Sequence, residues 1–443
     1  MAFKVNKDLI VRAYVRTGNI GPKGYPEKTF REFNYDDLSK YVSYFLEKIN
    51  SVPHDFSKKI GIFHGLLSFQ SVAFMLALIK SGKNYIVFNG YADDFPEYMK
   101  SIKDATTHIF MVGGFEEEYL MEEYSDMYSE IDSFETLVAL DAHKGRENLE
   151  FTFSKRQRIY SKFHLSGPIE LTCTTGLIEQ EAVKTAISSY FVEDDYCVIY
   201  RPFKHIGVAT LHTYPAFFTV KGISICDDIA EWEQEYHRAT HVHISHNMIQ
   251  LKWPLPKKLR MLTSGGYPFN SNCLEYVTGQ SDIDNIIDCY GTRYCVPPMA
   301  IRTIPKNNVG LLPFKWVNNF VKPENIENKL YFRAPKNTFS NIPGSNSDGT
   351  LLYSADIIED TGVDNEFYFY GQHVKFIRVD HIRVNYDDFV SFVKAKTGLR
   401  DFTVEFKNLN GMDAPVLSVS QSDYSEAKQF IDSHTIEITL SVQ

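Results

Sequence analysis

Residues 60–88 read IGIFHGLLSFQSVAFMLALIKSGKNYIVF, and they are the clearest indication of how this chain folds. Ile60 to Phe63 and Tyr85 to Phe88 are short apolar segments, each typical of a buried strand. Ser68 to Lys80 lies between them and has the length and the nearly continuous apolar content of a buried helix. A strand, a helix and a second strand in this order are typical of parallel strands in one sheet. We therefore predict an α/β fold built around this unit.

The alternation of strands and helices continues along the chain. Helical spacing of apolar residues predicts a helix from Phe30 to Asn50, and a third strand is predicted at Thr107 to Val112. Strands and helices alternate again between residues 165 and 310, and short strands follow closely from Leu351 to Val384. From Asn385 the pattern predicts helix, strand, hairpin, strand, helix and strand, which is typical of a small two-layer α+β unit.

The composition predicts a large folded protein of the cell interior. The chain has 443 residues, of which 44% are apolar and 23% are charged, so it can bury a substantial core. Its formal net charge of −10 favours solubility and disfavours a broad nucleic-acid surface. The six cysteines include no Cys-x-x-Cys pair, which indicates reduced core thiols, and we expect a cytoplasmic protein. The most apolar run, Ser71 to Ile79, is shorter than the roughly 20 residues of a membrane span, so no membrane partner is expected.

Six short motifs follow one another between residues 171 and 378. They are LTCTTG at 171–176, RPFKHIG at 201–207, SGGYPF at 264–269, DCYGTR at 288–293, YSAD at 353–356 and GQHVKFIR at 371–378. In the first motif, hydroxyls and backbone N–H groups of a turn after a strand can surround phosphate oxygens. Taken alone, such a turn is also a common structural element, so only the ordered series is informative.

The order and spacing of these motifs resemble those of the adenylate-forming superfamily, which includes acyl-CoA synthetases, amino-acid adenylation domains and firefly-type luciferases. The resemblance extends over residues 25–440. It implies a large N-terminal domain of mixed, mostly parallel sheets flanked by helices over residues 1–371, and a small, shortened α+β domain over residues 372–443. It also implies ATP-dependent, AMP-forming activation of a small-molecule carboxylate through an acyl-adenylate. The acyl group would then pass to a thiol or to a carrier protein.

The resemblance implies a nucleotide site and a substrate pocket at residues that match the family's motifs. The nucleotide-binding residues would be Thr174, Thr175, Gly176, Gly265, Gly266, Tyr267, Tyr290, Gly291, Thr292, Asp356 and Gln372. Among these, the two threonines would lie on the ATP phosphates, Tyr290 would stack on adenine, and Asp356 would accept hydrogen bonds from the ribose. An ordinary turn aspartate is the alternative for Asp356. His205 and Gly207 would line the substrate pocket, whose apolar surroundings favour an acyl or aryl acid.

Several positions depart from the family's motifs where phosphate charge would be handled. The run Leu177 to Glu181 replaces a glycine- and lysine-containing loop, and its two carboxylates would repel a triphosphate. Arg293 and Tyr294 stand where the family has a phosphate-binding Thr and a magnesium-binding Glu. The usual ligand of Mg²⁺ is therefore missing, no metal ligand is predicted, and Arg293 is the candidate for a catalytic cation. Gln372 replaces a ribose-binding Arg and can still donate hydrogen bonds.

The sequence ends at Gln443, just before the position where the family carries a catalytic lysine, which helps to stabilise charge on the transferring groups. We therefore expect slow adenylation, loss of activity, or a replacement supplied by a partner. Two functions stay open. One is an AMP-forming acid ligase with a divergent active site. The other is a catalytically inactive homologue that acts as a ligand-binding, structural or assembly protein.

A histidine-rich segment, His241 to His246, has two interpretations. On a strand, His241 and His243 would share one face and could contribute to a metal cluster. No acidic or thiol ligand with fitting spacing lies nearby in the sequence. We therefore expect packed or partly exposed histidines rather than a metal site.

Overall fold

The computed structural model describes the chain in segments: residues 2–20, 26–52, 59–64, 68–88, 106–112, 128–130, 134–153, 157–164, 167–200, 206–245, 248–249, 251–266, 269, 271–292, 295–306, 312–339, 345–372, 376–379, 382–399, 401–409, 412–434, 436 and 438–442.

The strands in these segments are, in chain order, β1 (Phe3–Lys4), β2 (Ile10–Ile20), β3 (Pro26–Asn34), β4 (Lys59–His64), β5 (Tyr85–Phe88), β6 (Thr106–Val112), β7 (Tyr128–Glu130), β8 (Glu150–Phe151), β9 (Gln157–His164), β10 (Gly167–Thr175), β11 (Tyr196–Tyr200), β12 (Gly222–Cys226), β13 (His241–Ile244), β14 (Lys258–Gly265), β15 (Asp282–Tyr290), β16 (Ala300–Thr303), β17 (Phe314–Trp316), β18 (Lys322–Ile326), β19 (Lys329–Arg333), β20 (Leu351–Asp360), β21 (Glu366–Gln372), β22 (Phe376–Val379), β23 (Ile382–Asn385), β24 (Phe402–Leu409), β25 (Met412–Val419) and β26 (Thr439–Val442).

The helices of the same segments are α1 (Tyr35–Ser51), α2 (Phe69–Ser81), α3 (Phe134–Ala142), α4 (Gly176–Tyr190), α5 (Ile206–Val208), α6 (Tyr214–Thr219), α7 (Ile229–Glu235), α8 (Ser271–Gln280), α9 (Tyr386–Lys396) and α10 (Tyr424–Ser433). A π-helical segment, Ala209–Thr213, joins α5 to α6, and a 3₁₀ turn, Tyr236–Arg238, follows α7. No helix in the described segments is both long and apolar enough to cross a membrane.

The unit predicted from residues 60–88 is confirmed. Strands β4 and β5 pair in parallel, and α2 between them is buried from Phe69 to Ile79. Ser68 and Ser71 cap its first turn reciprocally, which satisfies backbone N–H groups that have no partner within the helix. Gly82 ends the helix at φ 63°, a left-handed conformation that costs glycine little.

The first predicted helix is shorter than expected at its N-terminal end. Phe30 to Asn34 belong to β3, which pairs antiparallel with β2, and the helix begins only at Tyr35. Asn34 caps the helix by accepting a hydrogen bond from the backbone N–H of Asp37, while the Asp37 carboxylate accepts from the backbone of Asn34. This reciprocal cap stops the helix from extending back into β3.

Two sheets form the large α/β body, as the resemblance implies. Within the described segments, the smaller one has the strand order β10-β9-β5-β4-β6-β7, and the larger one has the order β18-β19-β20-β21-β17-β16-β15-β14-β13-β11-β12-β2-β3. In the larger sheet, the strands from β15 to β2 are parallel, whereas β16 to β21 are antiparallel. The α/β class with mixed sheets is confirmed, and the junction of the parallel and antiparallel halves lies at β15 and β16.

A separate small unit follows, with the predicted order of elements. Helix α9, strands β24 and β25, helix α10 and strand β26 come in sequence, and β24, β25 and β26 form one sheet. Its buried side chains form their own hydrophobic cluster, from Ile377 to Ile438. The boundary between residues 371 and 372 stays a prediction.

Candidate functional site

The carboxyl end of β15 and the middle of β20 bring two predicted nucleotide residues into contact. Tyr290, the last residue of β15, donates a hydrogen bond from its hydroxyl to the Asp356 carboxylate. Asp356 is 1% exposed, and its backbone N–H donates to the Ser354 hydroxyl at 3.1 Å. Gln372 on β21 is the cross-strand partner of Asp356. Motifs separated by more than sixty residues therefore meet at one place on the large sheet.

The Tyr290 ring lies among aromatic neighbours. The ring centres of Phe314, Phe367 and Phe369 lie 6.0, 6.0 and 5.4 Å from it. Edge and tilted contacts of this kind hold an aromatic ring in a fixed orientation. Only 8% of Tyr290 is exposed, so little of the ring is open to a ligand.

The predicted glycines lie where two chain segments approach closely. Gly265 pairs with Cys289 in the parallel register of β14 and β15, and a Cβ at Gly265 would lie 2.8 Å from the Cys289 carbonyl oxygen. A Cβ at Gly291 would lie 2.6 Å from the backbone nitrogen of Pro297. Gly266 has φ 84°, where other residues are strained. These glycines are required by the packing of the protein itself, whatever ligand the site holds.

Replacing Gly291 by alanine is therefore expected to destabilise the fold by about 1–3 kcal/mol, because the new methyl group would overlap backbone atoms of Pro297. Gly279 in α8 is the matched control, since a Cβ there would meet nothing within 4 Å. Gly279→Ala should stabilise the protein by about 0.5–1 kcal/mol through helix propensity. Urea denaturation of both variants checks this pair, and equal midpoints for the two would contradict it.

The substrate-pocket motif meets the glycine motifs through a helical segment. Thr210 donates its hydroxyl hydrogen to the Pro297 carbonyl oxygen at 2.7 Å. The neighbouring Leu211 side chain would lie 3.4 Å from a Cβ at Gly265. Gly207 is buried at the start of this segment, in α5. The structure thus places Gly207, predicted to line a substrate pocket, and the motifs predicted to bind the nucleotide around one region of the sheet.

The Thr-Thr-Gly turn lies at the junction of β10 and α4. Thr174 and Thr175 are the last residues of β10, and Gly176 is the first residue of α4. The N-terminus of a helix attracts anions through its backbone N–H groups and dipole. Glu179, one of the departures from the family, is fully buried in this first turn. When ionised, a carboxylate at this position interacts favourably with the helix dipole.

A buried ion pair next to the site was not predicted from the sequence. Arg302 on β16 donates from Nε to Asp288 Oδ2 at 2.9 Å, and its Nη2 donates to the Phe269 carbonyl at 3.1 Å. Its guanidinium also lies over the Phe314 ring, 4.7 Å from the ring centre. Burial raises the pKa of Asp288 above its usual value, and the charge of Arg302 opposes this effect. The pair thus connects the double-glycine motif to the aromatic neighbours of Tyr290.

The remaining predicted residues differ in how far they are described. Thr292 is used locally, since its hydroxyl accepts a hydrogen bond from the backbone N–H of Cys295 at 3.1 Å and its own N–H donates to the Cys295 carbonyl at 2.8 Å. His205, Tyr267 and Arg293 lie outside the described residues.

Two of the histidines from the histidine-rich segment are buried on β13. His241 and His243 are 0% and 7% exposed, and His246 lies outside the described residues. Their neighbour is His212 of the π-helical segment, whose ring centre lies 5.0 Å from that of His241 and 6.1 Å from that of His243. Burial lowers the pKa of both His212 and His241 below the usual value.

Comparison with known proteins gives a match in structure but not in sequence. No protein-family model matches the chain, and no curated protein matches it. ATP-bound MatB from Rhodopseudomonas palustris is similar, with a TM-score of 0.65 and 12% identity over 99% of this chain and 92% of that one. A malonyl-CoA ligase in a ternary product complex with methylmalonyl-CoA and AMP has a TM-score of 0.62 and 11% identity over 93% and 94%. Unliganded o-succinylbenzoate coenzyme A synthetase from Bacillus subtilis has a TM-score of 0.57 and 12% identity over 92% of each chain. These similarities show that the chain has the fold of the adenylate-forming enzymes.

Proposed function

We propose that this protein binds an adenine nucleotide where the end of β15 meets β20 and β21, and that it activates a carboxylic acid there. The observation that carries the proposal is the contact of Tyr290 with Asp356, beside Gln372 and close to the glycine motifs. In the reaction, a carboxylate oxygen attacks the α-phosphate of ATP, the bond to the β-phosphate breaks, and an acyl-adenylate and pyrophosphate form. Asp356 would accept hydrogen bonds from the ribose hydroxyls and so position the α-phosphate.

The substrate is proposed to be an acyl or aryl acid, with a thiol or a carrier protein as the acceptor. The solved relatives are consistent with this class, since one contains methylmalonyl-CoA with AMP and another is a coenzyme A synthetase. The helical segment that begins at Ile206 has buried apolar residues, including Val208 and Leu211, next to the glycine motifs. We also propose that the protein is located in the cytoplasm.

The handling of phosphate charge is the part of the family's chemistry that this chain fits least well. The family's magnesium-binding position is occupied by Tyr294, and a phenol is a poor ligand for Mg²⁺, which prefers carboxylates, phosphates and water. Glu179 is buried at the helix N-terminus, next to the phosphate turn. We therefore assign no step to a magnesium ion, and Arg293 is the proposed source of positive charge.

The buried position of Glu179 in the first turn of α4 favours a second candidate function. In this function the protein binds an adenylate-like ligand without catalysis. A carboxylate fixed beside the phosphate turn would weaken binding of a triphosphate more than binding of a monophosphate. Such a protein would recognise AMP or a finished acyl-adenylate and would release no pyrophosphate.

Calorimetry and a pyrophosphate assay separate these functions. We expect AMP and ATP to bind and GTP not to bind, because a guanine base would present its own hydrogen-bonding groups at the adenine position. Carboxylate-dependent release of pyrophosphate from ATP supports the ligase, whereas binding of AMP without such release supports the second function. If no adenine nucleotide binds at millimolar concentration, both are wrong.

Tyr290→Phe is expected to strengthen AMP binding by about tenfold, because the hydrogen bond it removes has a charged acceptor, is worth roughly 1.5 kcal/mol and competes with the ribose for Asp356. The aromatic contacts with Phe314 and Phe369 are retained in this variant. Tyr331→Phe on β19 removes a hydroxyl from the same sheet and should leave the affinity unchanged. Calorimetric titration with AMP measures both. A weaker affinity in Tyr290→Phe would show that the hydroxyl binds the nucleotide itself.

A further inference from the structure

A thiol and two imidazoles, none of them assigned to the nucleotide, meet in the core of the large sheet. Cys197 on β11 and His241 on β13 are paired in the parallel register of neighbouring strands, so their side chains lie on the same face. The π-helical segment Ala209–Thr213 packs against β13 and contributes His212. One ligand atom from each residue lies within 4.8 Å of the others, and all three side chains are at most 1% exposed.

Each of the two imidazoles has a buried ring nitrogen that is available to a ligand. His241 Nδ1 lies 3.7 Å from Asp195 Oδ2, which is beyond hydrogen-bond distance, but the negative charge on that side of the ring favours the proton on Nδ1. Nε2 of both rings and Nδ1 of His241 are buried without a hydrogen-bond partner. Buried polar atoms of this kind are rare in native proteins and indicate a missing ligand, ion or water.

Asp195 is itself held firmly in place. It accepts a hydrogen bond from Arg260 Nε at 2.6 Å and from the Thr240 hydroxyl at 3.0 Å, and its side chain is 1% exposed. A carboxylate that orients a histidine from the side away from the metal is the usual outer partner of a metal-binding imidazole. Asp195 is thus placed beside His241, on the side where such an outer partner would stand.

We propose that Cys197, His212 and His241 hold a structural zinc ion. A thiolate and two neutral imidazoles are ligands that zinc prefers, and a structural zinc takes four protein ligands, so a fourth group must complete this buried set. Binding transfers the thiol proton of Cys197 to the solvent, and the sulfur then bonds to the metal. Zinc bonds of about 2.0–2.3 Å require the three atoms to move closer together than they are here. His243, whose Nδ1 lies 3.1 Å from the Thr263 hydroxyl, is the nearest further imidazole on the same strand.

Metal analysis of the full chain tests this proposal. The protein is produced without a histidine tag, refolded with zinc and passed over a desalting column. We expect about one zinc per chain by elemental mass spectrometry, and less than a tenth of that in Cys197→Ser and in His212→Ala. Cys226→Ser is the matched control because Cys226 is an equally buried thiol on the neighbouring strand β12, outside the cluster. It should retain the zinc.

A measurement on the wild-type chain keeps the test decisive if the variants do not fold. Cobalt replaces zinc in such sites and gives a thiolate absorption band in the near ultraviolet together with the visible bands of a tetrahedral ion. The wild type should show these bands and should melt at a higher temperature with zinc than with a chelator. Absence of zinc and of a cobalt–thiolate band in the wild type would overturn the proposal. So would equal zinc content in the wild type, Cys197→Ser and His212→Ala, or loss of zinc in Cys226→Ser.

Discussion

Arg302→Met is expected to lower the free energy of unfolding by about 3–5 kcal/mol, the largest effect on stability among the variants considered. The substitution removes the cation and leaves the Asp288 carboxylate buried, with both side chains at most 4% exposed. It also removes the donor to the Phe269 carbonyl oxygen. Urea denaturation followed by tryptophan fluorescence measures the change, since Trp316 pairs with Ala300 on the strand that carries Arg302.

The ion pair between Arg333 and Glu324 provides the matched control. Arg333 also reaches a carboxylate through Nε and Nη2, but the two side chains are 51% and 31% exposed. Arg333→Met should therefore cost at most about 1 kcal/mol. A similar loss in both variants would show that burial is not the reason for the effect. The double variant Asp288→Asn/Arg302→Met should recover part of the loss, because it leaves no unpaired buried charge.

The loss in Arg302→Met should also depend on pH. Burial raises the pKa of Asp288 in the folded state, and removal of Arg302 raises it further above the unfolded value. The folded variant then binds the proton more tightly than the unfolded chain does, so its stability falls as the pH rises. The difference in the free energy of unfolding between the variant and the wild type should therefore shrink as the pH is lowered from about 7 to about 4. A deficit that is constant over this range would show that Asp288 is not the group responsible.

The sequence predicted the fold where local pattern and tertiary environment agree. Helix α2 is buried along its whole length, so its near-continuous apolar content was a direct signal. The start of α1 was placed too early because the helical spacing extends back into β3, whose conformation is fixed by pairing with the distant strand β2. The capping pair Asn34 and Asp37 was the local signal that could have placed the boundary correctly.

The site was predictable only as far as its residues lie within recognisable motifs. Asp356 and Tyr290 were singled out by the motif series, and the structure brings them together. Arg302 lies outside every motif and meets Asp288 only because β15 and β16 pair antiparallel. In the same way, no thiol stands near His241 in the sequence, but the pairing of β11 with β13 places Cys197 beside it. Both pairs come together only because their strands are neighbours in the sheet. A single sequence carries little information on which strands pair.

Asp356→Asn is expected to weaken AMP binding by about 10- to 100-fold, because hydrogen bonds to a charged acceptor are worth roughly 1.5–3 kcal/mol. Asparagine has nearly the same shape and keeps an oxygen that can accept the Tyr290 hydroxyl, so the strands around it should remain in place. Glu359→Gln is the matched control. Glu359 is an exposed carboxylate on the same strand that also accepts a hydrogen bond from a tyrosine hydroxyl, that of Tyr370 at 2.7 Å. Its substitution should leave AMP binding unchanged.

The same pair of variants separates a catalytic role from a binding role. If the wild type releases pyrophosphate in the presence of a carboxylic acid, Asp356→Asn should lose this activity at least in proportion to its weaker binding, because a ribose that is not fixed also leaves the α-phosphate misplaced. If the wild type binds AMP without releasing pyrophosphate, the affinity alone should fall, and the protein is then a nucleotide-binding scaffold. Unchanged AMP affinity in Asp356→Asn, with Glu359→Gln also unchanged, would show that the buried carboxylate serves only to hold Tyr290, and the proposed nucleotide site would be wrong.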